Sequence, residues 1–211
     1  MATTSRGWVV LGAGGHARSV VDVLERAGQS VVAVSGLTGG QPWHVDVLAD
    51  DTEALALAER DGLHTCVAVG ANAARARLVA DLLARGLSAP PVVASTATVS
   101  PRSRLGAGTV VLEHAHVGPA ADLGDAVIVN TAAVVEHDCV VGVGVHVAPG
   151  AVLLGAASVG DATLVGSGAR VLPGVGVGAR VTIGSGAVVT SPVSDGQTVV
   201  GVPATRRGGS A

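Results

Sequence analysis

The chain has no phenylalanine and no tyrosine, and only two tryptophans and one methionine among its 211 residues. A core built on large rings is therefore excluded, and with 48% hydrophobic residues the interior must be filled by valine, alanine and leucine. Lysine is absent too, so the thirteen cationic side chains are all arginines, scattered rather than clustered, against a formal net charge of -3. This leaves no basic face for DNA or RNA, and a nucleic-acid partner is not expected. The two cysteines, Cys66 and Cys139, lie far apart without CxxC spacing, which argues against a disulfide scaffold or zinc site and suits a reducing cytoplasm. No apolar run reaches the roughly 18 residues of a membrane span, because Gly, Asp or His interrupts each one. The opening MATTSRGWVVLGAGG has no cationic start, long apolar segment or cleavage pattern, so the reading is a cytoplasmic protein with no membrane association.

What is present in quantity is glycine, 31 residues of it, arranged in two different grammars. From Gly7 to about Pro90 short apolar runs alternate with helical patterns, the signature of βαβ units. Strands are predicted at Val9–Leu11, Val31–Val34 and Thr65–Val69, and helices at Ala17–Ala27, Asp51–Arg60 and Ala73–Arg85, with Asp50 or Asp51 capping the second helix. Gly12, Gly14 and Ala17 fit the GxGxxG/A pattern between strand and helix, which lets a phosphate approach the helix N-terminus. An NAD enzyme would carry an acid at the end of the second strand, where this chain has Ser35 and Gly36, so dinucleotide binding is disfavoured.

Beyond Val99 the period changes. Every sixth residue from Val99 to Val189 is aliphatic, and four residues after each stands a small or β-branched side chain such as Ala115, Ala133, Cys139 or Val145. A six-residue period fits neither an amphipathic helix nor a hairpin sheet, and leaves a parallel β-helix of hexads, three to a coil, with residues eighteen apart stacked at roughly 4.8 Å. Glycine recurs one residue after the aliphatic at 106, 118, 124, 142, 160, 166, 178 and 184, where a tight corner is expected to need its permissive backbone. The prism's open ends are strand edges. The α/β domain is expected to cover the first coil, and Ser191–Arg207 to fold over the last.

The motifs GAGGHA (12–17), VAVGAN (67–72), NTAAVVEHDCVVG (130–142), HVAPGA (146–151) and GVPA (201–204) together resemble the left-handed β-helix acyltransferases of the sialic acid O-acetyltransferase and nucleotide-sugar N-acetyltransferase type. The resemblance spans nearly the whole chain. It implies a small Rossmann-like α/β domain (1–92) that binds substrate, a left-handed parallel β-helix (93–190) that carries acyl transfer, and a C-terminal extension (191–211). It also implies a homotrimer with sites between neighbouring prisms, acetyl-CoA as co-substrate, no metal, and a small-molecule acceptor, a nucleotide-linked sugar acetylated on an amino or a hydroxyl group, with an amino sugar as the expected partner.

Acyl transfer from a thioester needs a base, a donor for the oxyanion and a groove for the CoA arm. His137, two residues past Val135, falls on a corner and can face a cleft; the matching family histidine is the general base. Asp138 stands where the family commonly carries a glutamate and is the candidate to orient that ring, with Glu136 as rival. Gly155, eighteen residues after His137, should stack on it and offer a bare N–H to the oxyanion; an ordinary permissive corner is the competing reading. By resemblance His146, Ser167 and Ser185 contact acetyl-CoA, and Gly14, Gly15, His16 and Gly70 line the acceptor's nucleotide pocket. Cys139 occupies an inward slot and is expected to be core.

The family often has acids at the Ser35 and Gly36 positions, and an HPSA sequence where this chain has Ala94, Ser95, Thr96 and Ala97. Alternatives are a non-nucleotide acceptor such as an amino acid or antibiotic amino sugar, a carbonic-anhydrase-like metal lyase, and a non-catalytic scaffold. For the lyase, His114, His116, His137 and His146 lack the spacing to converge on one ion.

Overall fold

The computed structural model describes residues 6–40 and 42–207. The chain begins with a parallel sheet of β1 (Trp8–Leu11), β2 (Val31–Ser35), β3 (Asp46–Leu48) and β4 (His64–Val67) in the order β3-β2-β1-β4. Helices α1 (Gly15–Arg26), α2 (Asp51–Asp61) and α3 (Asn72–Ala84) make the crossovers. Helix α2 starts at Asp50, whose side chain accepts from the Glu53 N–H at 3.0 Å, and stops at Gly62 with φ 63°. Strand β3 was not predicted, since Asp46–Leu48 is too short and too exposed to show a period.

From Val92 onward the chain winds as a three-sided prism of two-residue strands. The front face runs from Val92–Val93 to Thr198–Val200, the second from Thr98–Val99 to Val188–Val189, and the third from Arg104–Leu105 to Gly176–Val177. Pairing is parallel and in a register of eighteen, as in Val134 with Val152 and Val135 with Leu153. The hexad aliphatics and the small residues four places later fill one continuous core of Val, Ala, Leu and Ile, with Cys139 inside it. After Thr190 the register shortens: Thr198 pairs with Thr182, sixteen residues away, and Thr205–Arg206 turns back antiparallel across that edge strand.

The corner glycines have a different role from the one expected. From Leu105 to Ile183, positive φ falls three residues after each aliphatic, at Ala120, Ala126, Asp138 and Ala156 as well as at Gly144, Gly150 and Gly168, the third residue of a β-turn. The glycines one residue after the aliphatic have ordinary φ. They are required by close approach between coils: a Cβ at Gly106 would lie 2.4 Å from the Gly124 carbonyl carbon, and one at Gly142 2.7 Å from the Asp161 amide nitrogen. At the corner between third and front faces this column is glycine throughout, at 106, 124, 142, 160 and 178, because the next coil's backbone stands where a Cβ would be; Asp125 and Asp161 also fold back there to accept the N–H of Ala107 and Val143 at 2.7 and 2.8 Å.

The α/β domain also sits elsewhere than expected: it packs along the front face instead of capping the first coil. Outward-pointing Val92, Val110 and Leu112 join a core with Val10, Ala17 and Val20, while inward Val93, Val99 and Leu105 of the first coil stay partly buried. Outward Val110 and Ile128 are wholly buried, His146 and Leu164 half-buried, and Thr182 exposed, so the domain covers the early coils and ends at His146. Helix α3 runs down the corner between third and front faces. Small residues at 108, 126, 144 and 162 let it close in: a Cβ on Gly108 would meet Val79 at 2.8 Å, and one on Gly144 would meet Ala76 at 2.9 Å.

These two glycine classes predict different costs. Gly168→Ala puts a left-handed φ on a side chain with open space around it and should cost about 1–2 kcal/mol. Gly142→Ala drives a methyl into Asp161 and should cost more, by up to ~3 kcal/mol, in thermal or urea unfolding; equal losses would refute the close-approach account.

Candidate active site

His137 is the second residue of the turn joining second and third faces, so its side chain points away from the core and is 59% exposed. Its neighbour Asp138 holds φ 60° and reaches back, with Oδ2 2.7 Å from His137 Nδ1. An ionised carboxylate can only accept, so Nδ1 carries the proton and Nε2 presents its lone pair. Glu136, the rival orienter, makes no contact with the ring among the described residues.

Gly155 lies one coil on, directly beneath this imidazole. A Cβ built on Gly155 would stand 2.6 Å from both His137 Cε1 and Nε2, so the ring occupies the space that any larger residue would need. Its φ lies outside the left-handed range, which removes conformational permissiveness as the reason for glycine here. The Gly155 carbonyl accepts from Gly174, whereas its N–H donates to no group of the described residues. Pro119 and Pro173 stand at the equivalent position in flanking coils, as expected of a corner whose N–H faces outward. An orientable base and a free amide thus share one corner.

Ser167 and Ser185 stack one coil apart on the preceding corner, between front and second faces, both exposed and both with amides that make no hydrogen bond among the described residues. His146 points outward from the front face at the edge of the α/β domain. Asn130 Oδ1 accepts the Thr131 N–H at 2.8 Å, which turns its amide nitrogen toward His146 Nε2 at 3.0 Å and makes that nitrogen an acceptor. Burial, then Arg75, then His16 push the His146 pKa down to about 4, so the ring is neutral. His16, in the first turn of α1, is likewise lowered to about 4 by burial and then Arg75, and its Nε2 is buried without a partner.

Gly14 and Gly15 open α1 with nothing within 4 Å of a built Cβ, leaving the helix N-terminus accessible. Gly70 is exposed at the end of β4 and, with Ala71, Asn72, His146, Leu164 and Arg180, borders a cavity of about 480 Å³ between α3 and the front face. At the end of β2, Ser35 is buried and donates to Asp51 Oδ1 at 2.6 Å, so α2 supplies an acid where the strand itself has none.

The candidates therefore form two groups. His137, Asp138 and Gly155 share the corner opposite the front face, while His16, His146, Gly70 and the Gly14–Gly15 turn gather on the front face, with Ser167 and Ser185 at its edge. Within one chain a whole prism side separates them. The sequence reading missed Asn130, Asp51 and above all Arg75, which is wholly buried between the groups' two domains. The one available signal was the spacing of Asn130 and His146, sixteen residues apart on adjacent coils.

The PglD N-terminal domain family matches residues 8–82. Among solved structures, PerB from Caulobacter crescentus, in complex with CoA and GDP-perosamine, is 37% identical with a TM-score of 0.90, covering 96% of this chain and 97% of that one. The acetyltransferase domain of PglB from Neisseria gonorrhoeae, in complex with acetyl coenzyme A, is 36% identical with a TM-score of 0.91, covering 96% and 100%. WeeI from Acinetobacter baumannii shares the fold at 24% identity, with a TM-score of 0.85 over 96% and 100%. A search of curated proteins returned no match. With a left-handed coil, an α/β front domain and this similarity along its length, the chain belongs to the left-handed β-helix acetyltransferases that act on nucleotide-linked sugars.

Proposed function

We propose that this chain transfers an acetyl group from acetyl-CoA to the amino group of a nucleotide-linked sugar, with His137 as general base. The observation that carries the reading is the stack of His137 on Gly155, with Nδ1 tied to Asp138 and Nε2 free. The acceptor amine attacks the thioester carbonyl, and Nε2 takes the proton it sheds. The tetrahedral oxyanion is met by the Gly155 N–H, and collapse expels the CoA thiolate, which receives the proton from His137. Asp138 stabilises the imidazolium while it lasts. Preference for nitrogen rests on the relative with GDP-perosamine bound and on a free sugar amine needing no stronger base.

Acetyl-CoA would run past the free amides of Ser167 and Ser185, with His146 at its acyl end as a neutral donor through Nδ1. The acceptor's nucleotide would lie against Gly14, Gly15, His16 and Gly70, with Asp51 serving ribose hydroxyls in place of an acid on β2. These groups face away from His137 of the same chain, so a homotrimer in which one protomer's His137 corner meets the next protomer's front face is part of the proposal.

His137→Ala should lower kcat by roughly 10²–10⁴-fold with acetyl-CoA affinity little changed, measured by thiol release and calorimetry. Gly155→Ala should lose comparable turnover, because its methyl evicts the imidazole; wild-type kcat in either would refute the assignment. Sedimentation should give a trimer. Co-refolding inactive His137→Ala with inactive His146→Ala chains should restore part of the activity, since some interfaces then combine two intact halves. No recovery would place the site within one chain. A thiol-release screen over nucleotide-linked amino sugars, beginning with GDP-perosamine, identifies the acceptor.

A further inference from the structure

Arg75 is a cation buried to 0% exposure with no carboxylate paired to it among the described residues. All of its donors go to oxygens of dipoles. Nε donates to the Ala126 carbonyl at 2.8 Å; Nη1 to those of Val69 and Gly70 at 3.0 and 3.2 Å; and Nη2 to Asn72 Oδ1 and the Gly144 carbonyl at 2.9 and 2.8 Å. Two ends of the molecule are thereby joined. Val69 and Gly70 form the loop that leaves β4 and borders the front-face cavity, while Gly144 and Val145 lead directly into His146. Asn72 extends the same seam to the next coil, donating to the carbonyls of Ala162 and Thr163 at 3.1 Å each.

We propose that Arg75 is a positioning residue of the transferase: its guanidinium fixes the acceptor loop of the α/β domain over the catalytic prism and sets the charge around His146. This rests on the acetyl-transfer reading for what the cavity binds, though not for the clamp itself. A planar fork with five donors is the only side chain that can hold carbonyls from the β4 loop and from two successive coils at once. Corner carbonyls at 126 and 144 are free to accept because those turn residues hold positive φ, which turns their peptides out of the coil ladder. The electrostatic consequence follows from position. Burial is the first reason that His146 disfavours a positive charge, and Arg75 on α3 and His16 on α1, the charged or titratable groups acting on it, add to that. His16 and His146 thus stay neutral down to about pH 4. Because both values are depressed, the unfolded chain binds more protons between about 4 and 6.5, so stability is lost as pH falls through that window.

The test uses the full chain with Arg75→Met and Arg75→Lys, reading histidine proton titrations by NMR and steady-state kinetics with GDP-perosamine. In Arg75→Met the His16 and His146 midpoints should rise. The KM for the acceptor should increase, up to ~100-fold for an ångström of misplacement, while the KM for acetyl-CoA changes little. Arg75→Lys keeps the charge and loses the fork, so the midpoints should stay low while acceptor KM still rises. Should Arg75→Met not fold, Arg75→Lys with acceptor KM and midpoints both at wild-type values overturns the proposal. Unchanged midpoints in folded Arg75→Met overturn it as well, whatever the kinetics. A purely structural role would lower Tm and the active fraction and leave midpoints and the KM ratio unmoved. Absence of turnover in the wild type would count against the acetyl-transfer reading alone, since the titrations still decide the charge around His146, and hydrogen exchange of the 69–72 loop, faster in Arg75→Lys than in the wild type, still decides the clamp.

Discussion

Everything in this molecule is disciplined by the register of its coils. Once residues eighteen apart must stack at strand spacing, a choice made in one hexad constrains the hexads above and below it. The glycine column at 106, 124, 142, 160 and 178 exists because the next coil's backbone stands where a Cβ would be. The His137–Gly155 pair follows the same rule: the neighbouring coil surrenders a side chain so that an imidazole can lie against bare backbone. The small residues at 108, 126, 144 and 162 apply it a third time, now to admit a helix.

That helix shows how a stiff prism acquires a second domain. An apolar patch at Val92, Val110 and Ile128 provides the adhesion, at roughly 25 cal/mol per Å² of buried apolar surface, but apolar contact alone does not fix an angle. Direction comes from Arg75 and Asn72, whose hydrogen bonds fall on carbonyls of consecutive coils and so index the helix against the ladder. Burying a guanidinium costs several kcal/mol, and an arrangement that satisfies every donor is what makes the cost bearable. The clamp is therefore better understood as a device for geometry than as a source of stability.

Much of this was legible in the sequence, because a hexad period has few structural solutions. The strands, the core residues, the inward Cys139 and the stacking of Gly155 on His137 all follow from counting. What counting could not supply were the effects that depend on which corner is which. Glycine after the aliphatic looked like a conformational requirement, whereas the left-handed residue is two places later and alanine or aspartate fills it as well. Arg75 gives no local signal, since nothing in its helix says that carbonyls from two coils of another domain will surround it. The outward Val110 and Ile128, each one place before a hexad aliphatic, were the clue that the α/β domain lies alongside the prism.

The two candidate histidines finally illustrate how environment can divide labour between identical side chains. His137 stands in solvent with a carboxylate on Nδ1, which leaves Nε2 as the acceptor nitrogen. His146 is half-buried, accepts a hydrogen bond on Nε2 and shares its surroundings with Arg75, so protonation near neutral pH is closed to it and it can only donate through Nδ1. A base must be able to change charge, and a group that polarises a thioester carbonyl without taking a proton must not. Burial beside one arginine on the front face, and one aspartate facing Nδ1 on the opposite corner, give the two rings those different settings.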